Sequence, residues 1–313
     1  MTHTGMGKRL SGVVAPMMTP LTGGGEIDRA GVERLVEFLL AGGVHALFVL
    51  GSSGEFVSLP WSKQRRLLEL TVEAVRGRVP VCAGISSNCL EEILERGAEA
   101  AACGADYAVA LPPFYFRASQ PELLRFFTTI ADHIPIPLLL YNMPFRTNNS
   151  IEPATVEALA AHPRIAGIKD TVPDMARTLE VLGRVAGRED FGYFHGNELL
   201  ALPAILYGAR GMVPAIANFE PAGVVQAYET AVRGDLVRLR AWQKRIQGWM
   251  RVFSLLENRA QESTTLRLQA IKLVLELMGI CGSTMAQLST PPDEAQLERV
   301  KEFMRAEGIG PLQ

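Results

Sequence analysis

Only four cysteines stand in the 313 residues, at Cys82, Cys89, Cys103 and Cys281, and no two form a CxxC pair. No histidine stands beside them at metal-ligand spacing, so neither a disulfide framework nor a zinc site has support. Cys82 and Cys103 lie in apolar stretches and read as buried thiols, which suits a reducing cytoplasm. The five histidines, His3, His45, His133, His162 and His195, are scattered, leaving no basis for a histidine-metal site or a Ser-His-Asp triad. No apolar run is long enough to span a bilayer. Residues 1–10 lack the apolar centre of a signal peptide and read as a flexible tail. Charge of one sign is also missing. The net charge is -2 with the signs well mixed, which argues against nucleic-acid and membrane partners.

Lysine is scarce as well, with six against a background of arginine: Lys8, Lys63, Lys169, Lys244, Lys272 and Lys301. Lys169 is the conspicuous one. It ends the apolar run Ile165-Ala166-Gly167-Ile168, where desolvation would favour the neutral amine. A neutral lysine is a nucleophile and can form an imine, which arginine cannot. By position alone it could equally snorkel from a strand end to water.

What the chain has in abundance is repetition. Apolar runs at Val13–Thr19, Ala46–Gly51, Val79–Ile85, Tyr107–Leu111, Pro137–Asn142, Ile165–Asp170, Phe191–His195 and Gly211–Ala215 read as strands buried on both faces. Each is followed by a segment of helical period. Eight such units predict a parallel (β/α)8 barrel over residues 11–232. Asp28 and Ser62 are candidate helix N-caps, and Pro121 and Pro153 suit first turns. An open doubly wound sheet would carry a glycine-rich phosphate loop after its first strand, and Ala15-Pro16-Met17-Met18-Thr19-Pro20 is no such loop. Residues 233–313 hold helical segments at Asp235–Leu256, Ser263–Met278 and Glu294–Met304, an appendage packed on the barrel.

Barrel enzymes place their chemistry at the carboxyl ends of the strands. There the sequence sets Gly51-Ser52-Ser53-Gly54-Glu55, Tyr115, Tyr141 to Arg146, Lys169-Asp170 and Gly196-Asn197-Glu198. Ser52 and Ser53 could form a small anion nest, or an ordinary turn. Tyr141 could relay protons, or merely fill the core. Arg146 suits bidentate binding of a carboxylate. Asn197 and Glu198 read equally as an N-cap and first-turn acid. Together these groups suit imine chemistry on a 2-oxo acid, with the lysine as electron sink, a phenol as general acid/base, and no metal or organic cofactor.

In that order and spacing, Gly51-Ser52-Ser53-Gly54-Glu55, Tyr141-Asn142-Met143-Pro144 and Gly167-Ile168-Lys169 resemble the N-acetylneuraminate lyase and dihydrodipicolinate synthase family of class I aldolases, over about Gly12 to Met304. The resemblance implies a barrel with a C-terminal helical region, usually a homotetramer. It implies that Lys169 forms a Schiff base with pyruvate, that Tyr141 is the general acid/base, and that Ser52 and Ser53 hold the pyruvate carboxylate and relay protons. Tyr115 would complete the relay of a neighbouring subunit. Arg146 favours the synthase side, with a second substrate bearing its own carboxylate, such as aspartate semialdehyde. Gly196, Asn197, Glu198 and Val213 complete the substrate-binding candidates. If Asn197 and Glu198 meet hydroxyls, a 2-keto-3-deoxy sugar acid is the alternative substrate, for cleavage or dehydration. A non-catalytic small-molecule-binding barrel is the alternative of another class. Ser52-Ser53 departs from the more usual Thr-Thr pair, and Asn148-Asn149 stands where a glycine is common. Trp61, Gln64 and Phe114 replace the family's allosteric histidines and tyrosine, although Asn88 and Glu92 match that site, so feedback by lysine is expected to be weak or absent.

Overall fold

The computed structural model describes residues 9–257 and 264–310. Eight parallel strands close into one barrel in sequence order: β1 (Gly12–Pro16), β2 (Ala46–Val49), β3 (Val81–Gly84), β4 (Tyr107–Ala110), β5 (Leu138–Asn142), β6 (Ile165–Asp170), β7 (Gly192–His195) and β8 (Gly211–Met212). Nearly every strand residue is buried, because side chains fill the barrel on one face and meet helices on the other. The helices between and after the strands are α1 (Arg29–Ala41), α2 (Trp61–Val75), α3 (Leu90–Ala102), α4 (Gln120–His133), α5 (Pro144–Thr147), α6 (Pro153–Ala160), α7 (Met175–Arg184), α8 (Glu198–Leu206) and α9 (Pro221–Val232). Beyond the barrel follow α10 (Leu236–Trp249), α11 (Thr264–Leu277) and α12 (Glu294–Glu307). Among the described residues no helix is long and apolar enough to cross a membrane.

Local chemistry sets the boundaries. Ser119 and Glu122 close a capping box on α4, and Pro121 and Pro153 sit in first turns, where no amide hydrogen is needed. Ser62 is not a cap: α2 begins one residue earlier at Trp61, led in by Pro60, whose ring already fixes the entry angle. Asp28 does precede α1, but its carboxylate makes no cap bond. β8 stops at Met212 rather than at Ala215, and a 3-10 turn follows at Ala215–Asn218. Pro214 has no N–H to extend the ladder. β1 likewise ends at Pro16, and the amide of Met18 turns to Asn218 Oδ1 at 3.0 Å. The long helix expected from Asp235 to Leu256 divides into α10 and a 3-10 segment, Met250–Ser254.

The expected tail falls on residues 1–8, which lie outside the described residues, and on two that are packed. Arg9 pairs with Glu189 at 2.8 Å, and Leu10 is buried against the barrel floor.

One close approach is decisive for the site. A Cβ on Gly167 would lie 2.3 Å from the carbonyl oxygen of Gly192 across the β6–β7 ladder. Gly167→Ala should therefore push the two strands apart and lower stability by about 2–3 kcal/mol. The midpoint of chemical denaturation reads this, and an unchanged midpoint would contradict the crowding.

Candidate active site

The pairing of β5 with β6 sets Tyr141 opposite Lys169 and Asn142 opposite Asp170. Paired residues on neighbouring strands share a face, so one pair enters the barrel and the next points out to the helices. The Lys169 Nζ lies 4.1 Å from the centre of the Tyr141 ring and 5.0 Å from that of Phe48. Among the described residues no carboxylate forms an ion pair with it. Lys169 is 8% exposed. Below it, Leu10, Val14, Cys82, Val109, Leu139, Phe194 and Val213 enclose a space of only about 20 Å3. A keto acid has no room there, so the amine is open only toward the mouth.

At the mouth the Tyr141 hydroxyl lies 3.3 Å from Ser52 Oγ and donates to the Met143 sulfur at 3.0 Å. Ser52 also reaches that sulfur, at 3.5 Å. Both serines are half-buried. Their loop is sharply shaped. Leu50 (φ 63°) and Glu55 (φ 57°) bracket it in the left-handed region, where side chains other than glycine cost about 1 kcal/mol or more each. Leu50 is held by its burial. The carboxylate of Glu55 is shut from solvent, 2.6 Å from Lys272 Nζ on α11, and accepts the amide of Ala286 at 2.8 Å. The carbonyl of Gly54 takes a 2.6 Å hydrogen bond from Thr19 Oγ1.

Behind the reacting face stands a buried polar network. Arg177 on α7 meets Asp170 at 3.1 Å, and the Asn142 amide donates to Asp170 at 3.0 Å. Burial pushes the Asp170 carboxyl up, with Arg177 and the Val172 N–H pulling against it. His195 accepts the Asn197 amide at Nδ1 and meets Thr178 Oγ1 through Nε2 at 3.2 Å. Gly196 leaves space for the lysine: a Cβ there would lie 3.1 Å from Lys169 Cε and 2.5 Å from the buried Thr171 hydroxyl.

The Dihydrodipicolinate synthetase family profile matches residues 9–306. The chain belongs to that family. It is 33% identical over 298 residues, covering 95% of this chain and 97% of the other, to a 4-hydroxy-tetrahydrodipicolinate synthase of Phenylobacterium zucineum. The dihydrodipicolinate synthase structure from Bacteroides thetaiotaomicron superimposes with a TM-score of 0.90 at 32% identity, over 96% of this chain and all of that one. The chloride-inhibited synthase of Acinetobacter baumannii, complexed with pyruvate, gives 0.87 at 25% identity, over 96% of this chain and 99% of the other. This member of the family is accordingly a lyase with the synthase architecture.

Of the residues singled out in the sequence, Lys169, Tyr141 and Ser52 converge, with Gly196 and Val213 against the lysine. Ser53 shares the loop but makes no side-chain hydrogen bond among the described residues. Tyr115 does not join its own chain's site. It is 82% exposed, with φ 95°, and meets Phe116 edge to face. Asn149 holds this strained loop, donating to the carbonyls of Pro113 and Phe116 and accepting from the Ala118 amide. Asn148 adopts φ 59°, which asparagine tolerates nearly as glycine does. Arg146 is exposed on α5 and donates to Thr264 Oγ1. Asn197 caps α8 by accepting the Leu199 amide. Glu198 is more than a surface acid: it is buried, accepts the Ala215 amide at 2.8 Å, and has its carboxyl pushed up by burial. Sequence reasoning passed over Phe48 and Arg177, and gave no role to Met143, Asp170 or the Glu55–Lys272 pair. Only the lone Lys272 inside an apolar helical stretch hinted at the last.

Burial lowers His195 to about 4 from an ordinary 6.5. The unfolded chain therefore takes up this proton first as pH falls. Stability should be full above pH 6.5 and decline by roughly 3 kcal/mol from there to about pH 4. Denaturation midpoints across that window should fall less steeply in His195→Gln than in the parent protein; equal slopes would remove His195 as the cause.

Proposed function

We propose that the protein is a pyruvate-dependent synthase in which Lys169 carries the substrate as an imine. The observation that carries this reading is the β5–β6 register, which stands the amine against the phenol ring at the mouth with a serine hydroxyl 3.3 Å from the phenol oxygen. The free amine attacks the ketone carbon of pyruvate, and the carbinolamine loses water to give the iminium. Loss of a proton from the adjacent methyl yields an enamine, whose carbon adds to the carbonyl carbon of an aldehyde. Attack by water, or by the product's own amine, frees the lysine. Tyr141 handles the protons, in exchange with Ser52. Ser53 and the loop amides orient the keto-acid carboxylate, making the addition effectively intramolecular. The lysine is itself the electron sink, so the scheme needs no metal or organic cofactor.

Arg146 at the rim supports an aldehyde bearing its own carboxylate, with aspartate semialdehyde the best fit to the relatives' names. Asn197 and Glu198 are engaged with backbone amides, which weighs against their use on the hydroxyls of a 2-keto-3-deoxy sugar acid. Tyr115, exposed and rigidly presented, suits a relay to a neighbouring subunit in a homotetramer.

Pyruvate with borohydride should add mass irreversibly at Lys169. Lys169→Ala should abolish turnover, and Tyr141→Phe should lower kcat by about 10²–10⁴. An unmodified Lys169 peptide would reject the mechanism, and faster release of pyruvate from sugar acids than condensation with aspartate semialdehyde would reject the substrate.

Lysine should inhibit little. Glu92 is taken by Arg96 at 2.8 Å and by Ser87, while Trp61 donates to Glu99 and lies under the Arg96 guanidinium. A titration of turnover with lysine tests this, and strong inhibition would contradict it.

A further inference from the structure

The chemistry above uses neither Glu55 nor Lys272, yet both are fully buried and paired at 2.6 Å. Among the described residues, every other side-chain bond of the pair leads to the chain beyond the barrel. Glu55 Oε2 accepts the amides of Ala286 and Gln287, at 2.8 and 3.3 Å. Lys272 also donates to the Thr284 carbonyl at 2.5 Å. As a source of stability this is a poor arrangement, since apolar residues of the same volume usually do as well as a buried ion pair. As a source of geometry it is well placed. Glu55 is the left-handed residue that closes the Ser52-Ser53-Gly54 turn, and its side chain ties that end to the C-terminal region, beside the Thr19 hydrogen bond to Gly54. Gly54 lies close against the barrel: a Cβ there would stand 3.2 Å from the Met17 carbonyl oxygen. The same helix reaches the far side of the site, for Thr264, its first residue, accepts from Arg146. Eight residues, about 12 Å of helix, separate the two attachments.

We propose that the Glu55–Lys272 pair is a positioning device, by which the C-terminal region clamps the β2 exit loop in its keto-acid-binding shape. The pair sets affinity for the keto acid without touching it. This rests on reading Ser52 and Ser53 as the carboxylate nest. A loop already held in shape does not have to be ordered at the expense of binding.

The test compares the wild-type enzyme with Glu55→Gln and with the double variant Glu55→Leu/Lys272→Met, which leaves no unpaired buried charge. In both, the KM for pyruvate should rise about tenfold or more while kcat at saturating pyruvate falls less than about threefold. Lys169 should still be trapped by borohydride at saturating pyruvate. A double variant that melts like wild type yet keeps the parent KM overturns the proposal, as does a loss confined to kcat. Hydrogen exchange on the wild type reads the same point without substitution. The Gly54, Glu55 and Ser58 amides should be protected before pyruvate is added, and protection that arises only with pyruvate overturns the clamp. Failure of the wild-type enzyme to form any trapped adduct removes the imine reading on which the nest stands, a different result from a trapped wild type with unaffected variants.

Discussion

The register between two neighbouring parallel strands is the constraint on which the site depends. Because β5 and β6 align Tyr141 with Lys169, the phenol and the amine share the inner face of the barrel at one height. A slip of β6 by one residue would send Lys169 outward and set Asp170 beside Tyr141 instead. The register is held from both sides. Gly167 lets β7 approach as no larger residue could, and the outward-facing Asp170, Asn142 and Arg177 tie the same strand ends to one another and to α7. Inward-facing site residues and outward-facing tethering residues thus alternate along the same few positions.

The buried polar groups around this register divide by what they face. Asp170 and His195, paired across β6 and β7, bind backbone amides and Arg177, and Glu198 takes the Ala215 amide within electrostatic reach of Lys169. Their burial is tolerated because each has partners, as buried polar groups require. Lys169 is different. Two aromatic rings flank its amine and no ion pair engages it among the described residues, so no carboxylate competes with a ligand arriving from the mouth. The C-terminal helices complete the picture. They read in the sequence as a cover for the barrel, whereas Lys272, Thr284, Ala286 and Gln287 close around Glu55 and shape the loop beside the site.

Much of this architecture was legible beforehand, for identifiable reasons. A strand buried on both faces must be almost wholly apolar, so eight such runs between amphipathic segments leave few alternatives to a parallel barrel. A lysine and a tyrosine ending two of those runs stand out against that background. Where the reading failed, the deciding force was not local. Pro214 shortens β8 by withholding a ladder hydrogen, and α2 starts at Trp61 because Pro60 already turns the chain. Glu198 is the first-turn acid that the sequence suggested, but its burial was not legible there, because the 3-10 turn after β8 presents the amide that draws it inside.

The chain's own order of residues therefore determined the fold class, the succession of strands and helices and the conspicuous lysine, since alternation of apolar runs and a scarce residue type are properties of neighbouring positions. Tertiary structure decided which groups meet. Ser52 and Tyr141 lie 89 positions apart, and Lys272 and Glu55 more than 200, so only closure of the barrel and the docking of α11 bring them within bonding distance. It also decided that Tyr115 faces outward, because Asn149 grips the surrounding loop from a different strand end. Contacts of that range carry no periodicity for a sequence to display. They arise from packing, where each buried polar atom takes whatever partner the fold delivers.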